Sequence, residues 1–453
     1  MQINLSADGR IKKRKVEEFQ DKMGRLYPEY SNIDENGRKH LTKTVTFMVT
    51  NDCSLRCKYC YETHKGHDYM TFDTAKKFID LLLSGEKGFS DYIDPSYSKG
   101  IIIEFIGGEP FLAIDLIDKI VDYFKIRAIE LQHPWAQYSM FSICSNGVAY
   151  FDPKVQAFLK KNEKRLSFSI TIDGDKELHD SCRVFPDGVT GSYDLAVAAA
   201  QDWMSRGYYM GSKITIAPGN LSHLKKALLH MVELGYDEIN ANCVYEEGWT
   251  QEHAVEFYKI LKDVADYWVD NDIVESHYLS LFVEEFFQPK KETDLETWCG
   301  GTGDMLAVDW RGYLYPCIRY VDTSLGSERE PIIIGNVDDG LAQKQCEKDC
   351  IACMRKINRR TKMSDECFYC PIAAGCSECS AYNYQVTGNL DSHVTFICEM
   401  HKARALANVY FWNKYYRKRV SNQRFKCYVP EDWALNIISK EEYDMLIALS
   451  EED

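Results

Sequence analysis

Residues 43–60 read KTVTFMVTNDCSLRCKYC. The stretch Lys43–Val49 mixes β-branched and large apolar side chains, which is the composition of a strand. The loop after it holds Cys53, Cys57 and Cys60 in the spacing CxxxCxxC. Three thiolates this close can hold three irons of a [4Fe–4S] cube, leaving the fourth iron without a protein ligand. Structural zinc wants four closed ligands, and His64 is the nearest further candidate, so a zinc knuckle is the plain alternative. An open coordination position at the carboxyl end of a strand is where α/β sheets place their chemistry.

Outward from this loop, β-rich runs alternate with amphipathic ones. The strand candidates are Lys43–Val49, Ile101–Ile106, Ser139–Cys144, Ser167–Ile172, Ser212–Ala217 and Glu238–Cys243. The helical candidates are Thr74–Leu83, Leu112–Leu131, Lys154–Lys161, Tyr193–Arg206, Leu221–Leu234 and Gln251–Val269. Repeated strand–helix alternation predicts a parallel sheet with helices outside it. The six units fall short of the eight of a closed (β/α)₈ barrel. An open, partial barrel is one solution and a doubly wound sheet the other; periodicity does not separate them. After about residue 290 the alternation stops. Short strands are expected at Met305–Val308, Tyr313–Pro316 and Ile332–Ile334, among many cysteines. Such a region is expected to need metal in place of the apolar core it lacks. The chain therefore divides into a polar lead-in (1–42, with a basic run Arg10–Lys15), an α/β core (43–290), a cysteine-rich domain (291–405) and an aromatic, basic helical tail (406–453) whose rings are expected to pack on their neighbour.

Further motifs fall at the strand ends. Gly107-Gly-Glu-Pro110 closes the second strand, where glycine permits close backbone approach. Cys144-Ser-Asn-Gly147 closes the third and reads equally as a tight turn. Thr171-Ile-Asp-Gly174 follows the fourth, with His179, Asp180 and Arg183 behind it. Asn220 and Asn242, after the fifth and sixth strands, face the same mouth if the register holds, and a satisfied loop polar group is the bland reading for each. With the cysteine loop, this set resembles the radical SAM superfamily. The resemblance resolves the fold to a partial (β/α)₆ TIM-like barrel and covers, with the extension below, residues 43–405. It implies that Cys53, Cys57 and Cys60 bind a [4Fe–4S] cluster whose open iron chelates S-adenosylmethionine (SAM). Reductive cleavage then gives a 5′-deoxyadenosyl radical, the hard chemistry belonging to the cofactor. It places Tyr59 near the adenine. Gly107, Gly108 and Glu109 fall near the methionine amino group, and Ser145 and Asn146 at the ribose. Asp173 lies in the same cradle, and Arg183 falls on the carboxylate, which a guanidinium grips bidentately.

In the second half, Cys299 precedes Gly312-Tyr-Leu-Tyr-Pro-Cys317, then comes CFYCPIAAGCSEC (367–379), then Cys398. This order resembles the SPASM extension of radical SAM enzymes, which holds two auxiliary [4Fe–4S] clusters. It implies Cys299, Cys317 and Cys379 for the first, and Cys367, Cys370, Cys376 and Cys398 for the second. One departure is the last gap, CxxC where the family has CxxxC, which weakens the place of Cys379. A fourth ligand shortly after Cys299 is also missing, so either the first cluster keeps an open iron or a remote thiol fills it. Cys346, Cys350 and Cys353 form a second CxxxCxxC with no strand before it. They could donate that ligand, bind a further metal or stay reduced. Cys144, Cys182, Cys243 and Cys427 read as buried small hydrophobes.

Composition bounds the rest. Lys plus Arg is 54 and Asp plus Glu is 69, a net charge of −15, which disfavours a general nucleic-acid binder. There is no run long enough to span a bilayer and no secretory signal, so the cytoplasm is expected. There the 17 cysteines, ten of them within Cys299–Cys398, read as metal ligands and not as disulfides. The resemblance is strongest to maturases of cysteine-repeat peptides, implying a ribosomally made precursor peptide as substrate, thioether cross-links as product, and an electron donor of flavodoxin or ferredoxin type. A formylglycine-forming sulfatase maturase, a carbon–carbon or carbon–oxygen cross-linker, and a non-catalytic iron–sulfur or zinc scaffold are the alternatives. The lead-in is too short for a winged-helix leader-binding module. Leader recognition is therefore expected from the lead-in, the tail or a separate partner.

Overall fold

The computed structural model describes residues 43–451 except 63, 96–97, 99, 247, 298, 304 and 326–328; the expected lead-in lies outside the described residues. In chain order the strands and longer helices are β1 (Lys43–Thr50), α1 (Phe72–Ser84), β2 (Ile101–Gly107), α2 (Ile114–Glu130), β3 (Ser139–Ser145), α3 (Pro153–Asn162), β4 (Leu166–Ile170), α4 (Lys176–Cys182) and α5 (Tyr193–Ser205). Then follow β5 (Ile214–Ile216), α6 (Leu224–Glu233), β6 (Glu238–Ile239), β7 (Ala241–Cys243), α7 (Gln251–Asp270), β8 (Tyr278–Leu279), β9 (Met305–Val308), β10 (Tyr313–Tyr315), β11 (Gly335–Asn336), β12 (Gly340–Leu341), α8 (Gln345–Met354), α9 (Ser380–Thr387), α10 (Cys398–Lys418) and α11 (Lys440–Ser450).

β1 is buried on both faces from Val45 to Thr50, as a central parallel strand must be. It pairs in parallel with β2 (Phe47↔Phe105) on one side and β9 (Phe47↔Val308) on the other. The main sheet runs β12-β11-β10-β9-β1-β2-β3-β4. Its helix-facing side is filled by aromatic rings, with Phe47 edge-on to Phe78 of α1 at 5.0 Å between centroids. Helix starts follow their capping chemistry: Thr71 accepts from the Thr74 amide ahead of α1, and Asp152 caps α3 with Pro153 at its first position.

Four expectations are corrected. The six strand–helix units occur in the expected order, but the ladder stops after β4. β5 pairs with β7 and β6 with β8 in two separate short ladders. The expected strand Glu238–Cys243 breaks at Asn240, which donates to the Glu238 carboxylate at 2.8 Å and turns the two halves toward different neighbours. The expected strand Ile332–Ile334 is not laddered; pairing begins at Gly335. Nor does the cysteine-rich region lack an apolar core throughout. Leu306, Val308, Leu314 and Ile334 are fully buried in the main core, because β9 and β10 extend the sheet beside β1.

The tail packs as expected. α10 lies against α7, Phe411 stacks on Phe282 at 4.1 Å, and Lys414 pairs with Asp266 at 2.6 Å. Cys398, the first residue of α10, is thereby fixed to the barrel. Among the described residues no helix is long and apolar enough to cross a membrane.

Candidate active site

The cysteine loop leaves β1 at Thr50 and is tied down from three sides. The Asp52 carboxylate accepts from the Cys53 amide at 2.8 Å. The Arg56 and Lys58 amides donate to the carbonyls of Val184 and Cys182 at 2.7 and 3.0 Å, joining the loop to the end of α4. The third tie explains the paired glycines. A Cβ on Gly107 would lie 2.3 Å from the Thr50 carbonyl oxygen, and one on Gly108 would lie 2.2 Å from that of Asp52. What approaches these glycines is the loop itself, which accepts from the Gly108 and Glu109 amides at 3.0 and 2.8 Å.

Glu109 is buried and internally satisfied. Its carboxylate accepts from the Ser145 hydroxyl (2.8 Å), the Asn146 amide (2.8 Å) and the Phe111 amide (3.1 Å). Burial pushes its pKa up. It holds the turn after β3 in place. In that turn the Asn146 side chain donates to Ser54 at 3.0 Å and reaches Cys53 Sγ at 3.9 Å, so the third strand touches the cysteine loop directly.

The fourth strand end supplies a charged cluster. Arg183 Nε donates to Asp173 Oδ2 at 2.8 Å, Nη1 lies 3.8 Å from Cys57 Sγ, and the guanidinium covers the Tyr59 ring at 5.6 Å. The Tyr59 hydroxyl donates to the same Asp173 oxygen. Burial works against the charge on Arg183, but Asp173, with Tyr59 and Cys57 behind it, outweighs burial and keeps the guanidinium protonated. The other Asp173 oxygen, Oδ1, is fully buried and has no partner among the described residues. A buried acceptor left in this state is costly unless a donor arrives. His179 stands behind, accepting from the Asp173 amide at Nδ1 (3.4 Å) and bonded to Ser192 through Nε2 (3.0 Å).

Of the remaining polar candidates, Asn220 is used in its own turn, accepting from the Ala217 amide at 2.7 Å and donating to the Thr215 carbonyl at 2.9 Å. Asn242 is exposed and lines a cavity with Cys243, Cys376, Ser377, His401 and Arg404. Of the isolated cysteines, Cys144 is exposed on the edge of β3, which corrects its reading as a buried hydrophobe.

The distal thiols gather in two groups. Cys299 and Cys379 both lie in the electrostatic field of Cys317. Cys376 faces Cys398, Cys370 and Cys367 together. Despite its CxxC gap, Cys379 is thus brought to Cys299 and Cys317. Burial pushes Cys53 up to about 11 and both Cys317 and Cys376 up to about 12. Buried thiols of this kind stay protonated until a metal displaces the proton. No group of three or more His, Cys, Asp or Glu among the described residues is gathered tightly enough for a single metal ion. The proposed donors are all cysteine, which is the chemistry that holds [4Fe–4S] groups.

Sequence reading missed a buried ion cluster between the two thiol groups. Glu378, between Cys376 and Cys379, meets Lys362 Nζ at 2.9 Å and His393 Nδ1 at 3.0 Å, all three nearly inaccessible to water. The one local signal was a carboxylate inside a CxxC.

Comparison with known proteins agrees with this geometry. Residues 42–179 match the family model described as a 4Fe-4S single cluster domain. The chain is 21% identical to the radical SAM cyclopropyl synthase TigE of Paramaledivibacter caminithermalis, over 74% of this chain and 67% of that one. Its fold is similar to that of anSMEcpe solved with bound AdoMet (TM-score 0.58, 15% identity, 83% of this chain and 97% of the other). It is also similar to Streptococcus suis SuiB bound to its precursor peptide SuiA (TM-score 0.51, 13% identity, 81% and 76%). The chain has the radical SAM fold with the SPASM type of extension.

Proposed function

We propose that this radical SAM enzyme modifies a ribosomally made, cysteine-containing peptide, joining a cysteine sulfur to a carbon as a thioether. The observation that carries the reading is the juxtaposition at the mouth of β1: Cys53, Cys57 and Cys60 in one tethered loop, with the Arg183–Asp173–Tyr59 cluster against Cys57. When bound, SAM and its cluster supply a hydrogen-abstracting radical, and auxiliary clusters supply an electron sink. Every other part of the task falls to this chain's residues. Arg183 offers a fixed cation for a carboxylate, and Asp173 Oδ1 a buried acceptor for an amine or hydroxyl. Gly107 and Gly108 let the loop sit close enough to β2 for the cradle to be rigid, which is what placement of a reactive carbon requires. The auxiliary thiols, Cys299, Cys317 and Cys379 with Cys367, Cys370, Cys376 and Cys398, stand as the ligands of two further clusters. The thioether assignment draws on the cysteine-repeat maturase resemblance, and peptide as substrate class is supported by the peptide-bound SuiB fold. A carbon–carbon cross-link is the second reading, favoured by the relative named a cyclopropyl synthase.

The reduced protein is expected to cleave SAM to 5′-deoxyadenosine and methionine. Replacing Cys53, Cys57 and Cys60 together by Ala is expected to abolish this while auxiliary iron stays bound. Continued 5′-deoxyadenosine production by that variant would refute the site. With a cysteine-containing precursor, the product should lose two hydrogens per bond and resist alkylation at the linked cysteines. A product alkylated at every cysteine excludes the thioether and leaves the carbon–carbon reading.

A further inference from the structure

A cavity lies between the barrel and the cysteine-rich region. Asn242 and Cys243 of β7 line it with Leu281, two residues past the end of β8; Cys376 and Ser377 come from the cysteine-rich region, and His401 and Arg404 from α10. β7 and β8 meet it at or just past their carboxyl ends, as β1 meets the cysteine loop, so it lies on the face where such barrels place their chemistry. Of the four thiols read as ligands of the second auxiliary cluster, only Cys376 belongs to the lining, so this space is not that cluster's own.

Arg404 is the charged member. Its Nε donates to the Leu281 carbonyl at 3.0 Å and Nη2 to that of Ser280, and the guanidinium lies 5.1 Å from the centre of the Phe287 ring. Among the described residues no carboxylate stands within ion-pair distance of it, and Nη1 has no hydrogen-bond partner. Elsewhere in the fold Arg183, Arg311 and Lys362 each meet a carboxylate, and Arg359, buried without one, spends Nη1 and Nη2 on three carbonyls. Burial pushes the Arg404 pKa down to about 10, which still leaves the charge in place at neutral pH. His401 adds no second cation: burial pushes its pKa down to about 4, and its Nε2 donates to the Ile372 carbonyl at 2.9 Å.

A charge taken out of water is costly until it is paired. The two carbonyls occupy one edge of the guanidinium. Nη1 and the second hydrogen of Nη2 remain, and a carboxylate takes such a fork bidentately. We propose that this cavity is a carboxylate site for the substrate peptide, in which an acidic side chain or the C-terminal carboxylate seats on Arg404. The nature of the ligand rests on the peptide reading above; the site rests on the unpaired cation. Apolar Phe257, Leu281 and Met400 in the same lining suit the stem that carries the carboxylate. Seating one residue there fixes the position of its neighbours, and so which carbon meets the radical.

The test measures binding by calorimetry to the full chain, reconstituted anaerobically with iron and sulfide. The probes are acetyl-Gly-Cys-Gly-Glu-Gly-amide, its Gln counterpart, that Gln peptide with a free C-terminal carboxylate, and N-acetyl-L-glutamate. At least one carboxylate peptide is expected to bind about tenfold tighter than the neutral one, as a hydrogen-bonded charge pair gives. Which of the two does so tells side chain from terminus. Arg404→Gln is expected to remove the preference. So is Asn242→Asp, which puts a carboxylate into the cavity from an exposed position. Equal affinity of the wild type for all three peptides overturns the proposal. So does a preference that survives Arg404→Gln; a shifted auxiliary-cluster potential in that variant would then make Arg404 a counter-charge to the cluster. If Arg404→Gln loses its iron and so has misfolded, Asn242→Asp decides, and an undiminished preference there overturns the proposal. N-acetyl-L-glutamate bound by the wild type and not by Arg404→Gln, with no peptide bound, keeps the carboxylate site and removes the peptide reading. Binding of none of the four probes overturns the site.

Discussion

His179 is enclosed beside Asp173 with both ring nitrogens engaged: Nδ1 accepts from a backbone amide, so Nε2 carries the hydrogen given to Ser192. Burial, with the nearby Arg183 charge in support, pushes its pKa down to about 4 from 6.5. The unfolded chain therefore binds a proton that the folded chain refuses. The resulting stability is fully present above pH 6.5 and is lost as pH falls toward 4, up to about 3 kcal/mol for a shift of this size. Denaturant melts of wild type and His179→Gln across that range should converge as pH falls, since the variant lacks this proton. Parallel pH dependences would show that His179 does not titrate in this way. The thiol motifs stand out in the sequence because the spacing within each run is local. The polar groups were harder. Glu109 has the chemistry of a cofactor contact, yet two of its three bonds are spent on the turn after β3 and the third on its own turn, and Asn220 is spent on its own turn. The Lys362–Glu378–His393 cluster was hidden because its members come from separate segments that only the fold brings together.

At the scale of elements, the loop after β1 and the start of the turn after β2 are one unit. A methyl group at Gly108 would meet the Asp52 carbonyl oxygen at 2.2 Å and its carbon at 2.6 Å, both backbone atoms that no rotamer change can move. Gly108→Ala should therefore push the cysteine loop off the sheet. The expected result is loss of the SAM-side cluster's iron and of 5′-deoxyadenosine formation, with auxiliary iron retained. Wild-type cleavage by this variant would mean that the cysteine loop does not depend on the close approach at Gly108. The boundaries of β1–β4 were legible to within about two residues because their inward positions are apolar, and those of α1 and α3 because Thr71 and Asp152 cap them. Glu238–Cys243 reads EINANC, with a single Ile and two Asn, and its break at Asn240 is set by hydrogen bonds to Glu238 and Ser212 that composition does not encode.

For the whole molecule, the decisive feature is where the cysteine-rich region meets the sheet. It had been expected to hang on its clusters alone. Instead β9 pairs in parallel with β1, and Leu306, Val308 and Leu314 belong to the main core, so burial of apolar surface holds them whether or not metal is bound. Beyond β12 the character changes. Between Gln345 and Ser380 the helices are short, and the principal buried apolar residues are Ile351, Met354, Phe368, Ile372 and Ala373. Few such residues cannot offset the entropy of ordering a segment of that length, and the buried Lys362–Glu378 pair is a poor substitute because its desolvation offsets much of its attraction. Metal must make up the difference. α10, although it begins at Cys398, is held independently by its packing on α7. Anaerobic iron chelation should therefore release amide protection from Gln345 to Ser380 first, leaving Met305–Val308, Tyr313–Tyr315 and most of α10 exchanging at the rates of the barrel. Hydrogen exchange followed by mass spectrometry resolves these segments. Protection lost together across 305–380 would mean that the edge strands depend on the clusters after all, and that the sheet pairing of β9 with β1 adds little to their stability.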